Sequence, residues 1–294
     1  MSPLSLINDE DTYLRGPEVK KIPMPLNFEQ AVGHVVMVKP PQEKQLKKTK
    51  PSHRANGKIY YGDCIDVMQT LPDESIKAVV TSPPYNIKNS TGNGLKDGRG
   101  GKWPEAALQT GYENYNDCLP HDEYVKWQRR CLSEMMRLLM PDGAIFYNHK
   151  WRVQNGLLQD RSDVVEGFPV RQIIIWHRAG GINFNPGYFL PNYEVIYLIA
   201  KPDFKLAPKT NAWGCVWKIT QESKNPHPAP FPVDLASRCI QAVGKGPILD
   251  PFMGSGTTAL AAEMAGVEWL GIDNSEKYVT MTIERVNSFV SRTL

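Results

Sequence analysis

Ile248-Leu249-Asp250-Pro251-Phe252-Met253-Gly254-Ser255-Gly256-Thr257-Thr258 is the stretch that decides the fold. Ile248-Leu249-Asp250 reads as a strand that runs straight into glycines, and the glycines open a helix near Gly256. A second strand, Trp269-Leu270-Gly271-Ile272-Asp273, comes next, and another helix starts near Ser275. Strands alternating with helices give an α/β fold with a doubly wound, mostly parallel sheet. At such a turn the backbone can approach a ligand closely, and the N–H groups of the helix end face it. Asp273 ends the following strand about 20 residues on, the usual place for a carboxylate that accepts from ribose hydroxyls.

The other informative stretch is Thr81-Ser82-Pro83-Pro84-Tyr85-Asn86, which follows the apolar run Ala78-Val79-Val80. Neither proline has an N–H to donate, and Pro83 forces Ser82 into an extended conformation, so the strand stops abruptly. A hydroxyl, a free carbonyl and an aromatic ring are left in a rigid bend at its carboxyl end, the edge where open α/β sheets bind ligands. Those groups make a pocket for a flat heterocycle bearing an amino group.

Working outward, residues 1–56 lack a sustained period and form an N-terminal extension, basic and partly irregular. Lys44-Gln45-Leu46-Lys47-Lys48-Thr49-Lys50 is its densest positive run. Clustered lysines there suit either a solvated arm or phosphate contact. From residue 57 the pattern is regular: a strand at Ile59-Tyr60-Tyr61, a turn at Gly62-Asp63, and a helix over 64–71 with Ile65, Met68 and Leu71 on one face. Residues 86–118 are polar and glycine-rich, a segment too long to be a mere connection and expected to be a mobile loop that contacts substrate. Residues 122–140 read as a helix, with Tyr124, Trp127, Cys131, Met135 and Leu138 on its apolar stripe and Pro141-Asp142-Gly143 ending it. Ala144-Ile145-Phe146-Tyr147, residues 172–177 and Tyr193–Ala200 read as strands, residues 201–231 as irregular, and Val233–Val243 as a helix.

Composition bounds the rest. With 294 residues, 41% apolar and 22% charged, the chain is long enough for one large α/β domain or one domain plus a small lobe. A net charge of +3 tolerates a polyanionic partner without demanding one. The five cysteines contain no CxxC pair, which points to neither a disulfide framework nor a zinc site. The first residues lack the apolar core of a signal peptide and the longest apolar runs are too short to span a membrane, so a soluble, cytoplasmic protein is expected.

Taken together, Ser82-Pro83-Pro84-Tyr85 and Asp250-Pro251-Phe252-Met253-Gly254-Ser255-Gly256 resemble the catalytic and cofactor motifs of the amino-methylating DNA methyltransferases, the N6-adenine and N4-cytosine methylases. His227-Pro228-Ala229-Pro230-Phe231-Pro232 looks like the segment that closes over the methionine part of the cofactor, and Gly62-Asp63 like the position near its adenine. Since the catalytic motif precedes the cofactor loop, the resemblance is to the β group, a circular permutation of the usual methyltransferase sheet. It covers residues 57–290 or so, leaving 57–294 as the catalytic domain.

The resemblance implies S-adenosyl-L-methionine as cofactor, held by Asp63, His227, Phe231, Asp250, Phe252, Gly254, Ser255, Gly256, Thr257 and Asp273. It implies double-stranded DNA as partner, with a base flipped out to reach the bend, and it allows a homodimer and a cognate restriction endonuclease. Catalysis falls to Ser82, Pro83, Pro84 and Tyr85: the Ser82 side chain and the Pro83 carbonyl grip the amine hydrogens, and Tyr85 stacks on the base. Ser rather than Asp at position 82 favours cytosine N4 over adenine N6. Residues 178–231 hold a short target-recognition region. Lys47, Lys48, Lys50, Arg99, Lys102, Arg178 and Lys218 are the candidate DNA contacts, though surface cations mostly touch phosphate or solvent. Singly, each motif has an ordinary use as strand stop, helix cap or loop. An RNA- or protein-directed methyltransferase would share the cofactor loop, and a dinucleotide-dependent oxidoreductase would share only its glycines.

Overall fold

The computed structural model describes residues 36–38, 56–86, 119–154, 156–178, 183, 185–222 and 231–293, all within one compact unit, Gly33–Leu294. Its strands are β1 (Val36–Val38), β2 (Gly57–Tyr61), β3 (Ile76–Thr81), β4 (Leu139–His149), β5 (Arg152–Gln154), β6 (Leu157–Gln159), β7 (Val170–His177), β8 (Tyr193–Ala200), β9 (Val216–Lys218), β10 (Ile248–Asp250) and β11 (Trp269–Asp273). The helices are α1 (Cys64–Thr70), α2 (His121–Leu138), α3 (Ser162–Val165), α4 (Val233–Val243), α5 (Thr257–Ala265) and α6 (Glu276–Thr293).

Nine strands form one sheet in the order β1-β2-β11-β10-β3-β4-β8-β7-β9, and β5 and β6 pair as a separate hairpin. β8 is antiparallel to both its neighbours, β4 and β7, while the remaining pairings are parallel. The mostly parallel, doubly wound α/β sheet expected from the sequence is the one observed. Val36–Val38, part of the expected N-terminal extension, adds a parallel strand beside β2.

Local chemistry explains the boundaries. Asp63 caps α1, accepting from the amides of Ile65 at 2.8 Å and Asp66 at 3.3 Å. In α2 the buried set is Tyr124, Gln128, Cys131, Leu132, Met135 and Leu138, the three-and-four spacing of a helix lying on a sheet. α2 stops at Leu138, two residues short of the expected end, because Leu139 already pairs with Ile76 of β3. α1, α2 and α3 share a core cluster with Val79, Ile145, Leu249 and Ile272, and α4, α5 and α6 pack on one another and on β3 and β11. The central strands β3 and β8 are buried almost throughout, as strands covered on both faces are. Among the described residues no helix is long and apolar enough to cross a membrane.

The arrangement fixes where a ligand belongs. β10 and β3 are adjacent, yet the chain leaves β10 through α5 toward β11 on one side and leaves β3 toward α2 and β4 on the other. A crevice opens at the carboxyl ends of two such strands.

Close approach of β2 to β11 yields a stability prediction. A Cβ on Gly57 would lie 1.8 Å from Cε2 of Trp269, a buried side chain whose indole N–H donates to Glu263 at 2.6 Å. Gly57→Ala is expected to lower unfolding free energy by about 2–3 kcal/mol. Gly214→Ala, with nothing within 4 Å of the new atom, should change it by less than about 0.5 kcal/mol. Urea unfolding midpoints compare the two.

Candidate active site

The switch-point crevice gathers most of the described site residues on one edge. Asp63 follows β2, Asp273 ends β11, Asp250 ends β10 and Ser82 follows β3, four neighbouring strands spaced about 4.8 Å apart. The cofactor half and the catalytic half are joined directly: the buried Thr81 hydroxyl donates to Oδ1 of Asp250 at 2.7 Å.

Two carboxylates organise the glycine loop. Oδ1 of Asp250 also accepts from the Phe252 amide at 3.1 Å. Asp273 accepts from the Gly254 amide at 2.8 Å and the Ser275 amide at 2.9 Å. Gly254 and Gly256 have φ of 54° and 77°, the left-handed region that glycine enters without strain. Gly256 also has no room for a side chain, since a Cβ there would sit 2.5 Å from Cγ2 of Thr282 on α6. Phe252 lies edge-on to Trp127, ring centroids 5.7 Å apart.

Burial pushes the Asp250 carboxyl up to about 6, against hydrogen bonds from Thr81, Thr258 and the Phe252 amide that pull it down. Burial likewise raises Asp273 to about 7; the Ser275 and Gly254 amides pull it down, and the charge of Asp250 pushes it further up. These partners are neutral donors, so two acids sit in the crevice with no cation among the groups that set their titration. That donor set suits a ligand carrying an ammonium and ribose hydroxyls, as the resemblance requires of Asp250 and Asp273.

The catalytic bend is equally tied. Ser82 Oγ and Tyr85 Oη are 2.6 Å apart, and Tyr85 donates to Oε2 of Glu194 at 3.2 Å. Nδ2 of Asn148 reaches Tyr85 Oη at 2.8 Å, Glu194 Oε2 at 2.9 Å and Ser82 Oγ at 3.3 Å. Behind the bend, Gln128 Nε2 donates to the Pro84 carbonyl at 3.2 Å, with Tyr124 Oη 3.0 Å from the same oxygen. Pro84's carbonyl is thus engaged inside the protein. The Tyr85 ring is buried and lies 4.8 Å from His149 at 33°, so that face is occupied within the protein. Burial, and after it the charge of Arg161, hold His149 well below its usual value and hence neutral.

Several of the expected site residues have partners inside the protein. Arg178, expected as a DNA contact, is mostly buried and ion-paired, its Nη1 3.2 Å from Oε1 of Glu194. The hydroxyls of Ser255 and Thr257, expected to meet the cofactor, lie 3.5 and 3.2 Å from Nη1 of Arg285. That guanidinium also holds the Ser255 carbonyl at 3.2 Å and Glu222 at 2.7 Å, so these side chains anchor the loop to α6. Phe231 is buried at the start of α4, and Lys218 is exposed on β9. His227, Lys47, Lys48, Lys50, Arg99 and Lys102 lie outside the described residues, as do 87–118 of the expected loop.

Asn148, Glu194, Gln128 and Arg285 were not singled out in the sequence, and Tyr124 was read only as part of a helix's apolar stripe. The available signal was polar residues at the ends of apolar strands: Asn148-His149 prolonging β4, and Glu194 opening β8. Register aligns them, since Asn148 pairs with Ile196 and Glu194 lies two residues on, on the same face.

Replacing Thr81 by the near-isosteric valine leaves Asp250 one donor short. Thr81→Val is expected to cost about 1–3 kcal/mol in urea unfolding. It should also raise the Asp250 carboxyl above its present value, because a hydrogen bond that favours the charged form is lost; carbon NMR titration reads that shift.

Comparison with known proteins agrees with this geometry. The family model described as DNA methylase, N6_N4_Mtase, matches residues 76–284. The type II methyltransferase M.BglII of Bacillus subtilis is 25% identical over 272 residues, covering 77% of this chain and 68% of its own. M.ScaI of Streptomyces caespitosus is 26% identical over 274 residues, covering 78% and 81%. Among solved structures, the cytosine-N4-specific PvuII DNA methyltransferase superposes with a TM-score of 0.60 at 19% identity, covering 81% of this chain and 92% of that one. A DNA modification methylase of Thermus thermophilus, TTHA0409, in complex with S-adenosyl-L-methionine, gives 0.58 at 22% identity, covering 79% and 93%. With its family model spanning well over half the sequence and its crevice built from that model's two ends, the chain belongs to the N6/N4 DNA methylase family.

Proposed function

We propose that this protein transfers a methyl group from S-adenosyl-L-methionine to the exocyclic amine of a base flipped out of duplex DNA, with cytosine N4 favoured over adenine N6, as the modification enzyme of a restriction-modification system. The observation that carries the reading is the 2.7 Å bond between Thr81 and Asp250, which sets the proline bend one strand away from the glycine loop. The chain order, bend before loop, supports the β-group arrangement. The type II methyltransferase relatives support the restriction-modification context.

The bound cofactor supplies an electrophilic methyl on a sulfonium. Asp250 and Phe252 would hold its amino-acid end, Asp273 its ribose, and Asp63 would lie near its adenine. Ser82 Oγ and the Pro83 carbonyl accept the amine's hydrogens, which favours a tetrahedral nitrogen and frees a lone pair otherwise delocalised into the ring. The bend positions; it forms no covalent intermediate, and its contribution is orientation and preorganised acceptors. Lifting the base from the stack costs a few kcal/mol, recovered from contacts in the pocket. Lys218, exposed on β9, is available to phosphate.

Incubation with labelled cofactor and duplex DNA, followed by digestion to nucleosides, tests the reading. N4-methylcytosine is the expected product; N6-methyladenine would reverse the base preference, and label entering only RNA or protein would refute a DNA substrate. Ser82→Ala should reduce turnover by at least about 100-fold while cofactor affinity by calorimetry stays unchanged; undiminished turnover would overturn the site.

Cofactor affinity should depend on pH. Ionised Asp250 and Asp273 attract a cationic ligand, and their carboxyls gain protons near 6 and 7. Affinity is therefore expected to be full at pH 8, to fall about tenfold per unit between 7 and 6, and to steepen toward about a hundredfold per unit below both values. A flat profile between pH 8 and 5 would remove both acids from cofactor binding.

A further inference from the structure

A serine hydroxyl both donates and accepts, so Ser82 alone could hold a keto oxygen as readily as an amine. The hydrogen bonds around it remove the ambiguity. Glu194 sits beside Arg178, whose guanidinium always carries its charge, and the carboxylate so paired offers acceptors only. Tyr85 has one hydroxyl hydrogen, and it goes to Oε2 of Glu194. Either hydroxyl could donate in the 2.6 Å contact between Ser82 and Tyr85; the stronger pull of a carboxylate on the tyrosine hydrogen leaves the serine as donor. Asn148 agrees: Nδ2 faces Glu194, Tyr85 and Ser82 together, so the amide adds hydrogens to the cluster and takes none. With its hydrogen committed to Tyr85, Ser82 has only lone pairs left for whatever enters the bend, and it is partly exposed where Tyr85, Asn148 and Glu194 are buried.

We propose that the buried Arg178–Glu194 ion pair sets the direction of this chain of hydrogen bonds, making Ser82 an obligate acceptor and so selecting an amino-bearing base over a keto-bearing one. The inference rests on the preceding reading, in which Ser82 grips the target amine. Arg178 and Glu194 are positioning residues, acting through Tyr85 without touching the base. A keto oxygen at this place would face lone pairs with no hydrogen between them, and buried groups left unpaired are what let a site reject a close analogue.

The test uses the full chain, DNA free of base methylation, and labelled cofactor. Glutamine at position 194 can present its NH₂ group to Tyr85, reversing the chain of donors. Glu194→Gln is expected to lower kcat about 30-fold with KM for DNA and cofactor affinity within about twofold of wild type. In a Tyr85→Phe background the route is already cut, and the same replacement should cost less than about threefold. A second readout is base choice. A duplex whose target cytosine is replaced by uracil, or target adenine by hypoxanthine, should bind wild type at least about tenfold more weakly than the natural duplex, and Glu194→Gln should narrow that gap to about twofold. A full 30-fold loss in the Tyr85→Phe background, or an unchanged gap, overturns the proposal. If Glu194→Gln does not fold, because it strands a buried guanidinium, Arg178→Met with Glu194→Gln removes both charges and the same two outcomes decide. Wild-type chain that labels no DNA overturns the function proposed above, and this inference with it, before any variant is compared.

Discussion

The bond from the Thr81 hydroxyl to Asp250 is the contact on which the site depends. β3 and β10 belong to opposite halves of the sheet, and the chain leaves them in opposite directions, so their ends are held by side chains, Thr81 on Asp250 and Thr258 of α5 on the Val80 carbonyl at 3.1 Å. Strand pairing aligns Ala78 with Ile248 and Val79 with Leu249, and the side-chain bond carries that alignment past the last ladder position. The same carboxylate receives the Phe252 amide, which fixes how the chain leaves β10, and Asp273 receives the Gly254 amide. The glycine loop is strung between two acids, one of which is anchored to the catalytic strand.

This construction puts charge where water is scarce, and the molecule handles it in two ways. Asp250 and Asp273 are met by neutral donors, and burial raises both carboxyls toward neutrality. Each would regain its preferred charge when a cation arrives, so desolvation in the crevice becomes selectivity for a positive ligand. Glu194 instead has a permanent guanidinium at 3.2 Å. Its charge does not depend on a ligand, which suits a group whose task is to orient hydroxyls. The expensive element, a buried ion pair, is of doubtful worth for stability and better understood as a device for specificity.

Much of this was legible in the sequence because it was local. Prolines stop a strand, glycines open a helix, and an aspartate before a helix caps it, all within a few residues; both motif-bearing strands came out at their observed ends. Four strands of three residues, β1, β5, β6 and β9, escaped notice because so short a run has no period and pairing across the chain defines it; β10, equally short, was found from the glycine loop that follows it. The direction of β8 was unreadable for a related reason: a run apolar but for Glu194 announces burial on both faces and says nothing of strand direction. Arg178 looked like a surface cation beside glycines, and only tertiary packing against Glu194 shows otherwise. Ser255 and Thr257 looked like ligand contacts because the loop motif contains them, whereas Arg285, some 30 residues further on, claims both hydroxyls.

The reversal of β8 reaches beyond register. Since it runs against β7, the chain between them leaves and re-enters the sheet on the same rim as Ser82 and Asp250, and one residue of that stretch, Phe189, is 97% exposed. Each doubling of such a link costs only about 0.6 kcal/mol in closure entropy. A sheet so wired can lengthen, shorten or re-letter this link while its nine-stranded frame stays as it is. One inverted strand leaves the rim beside the crevice open to variation without touching the core.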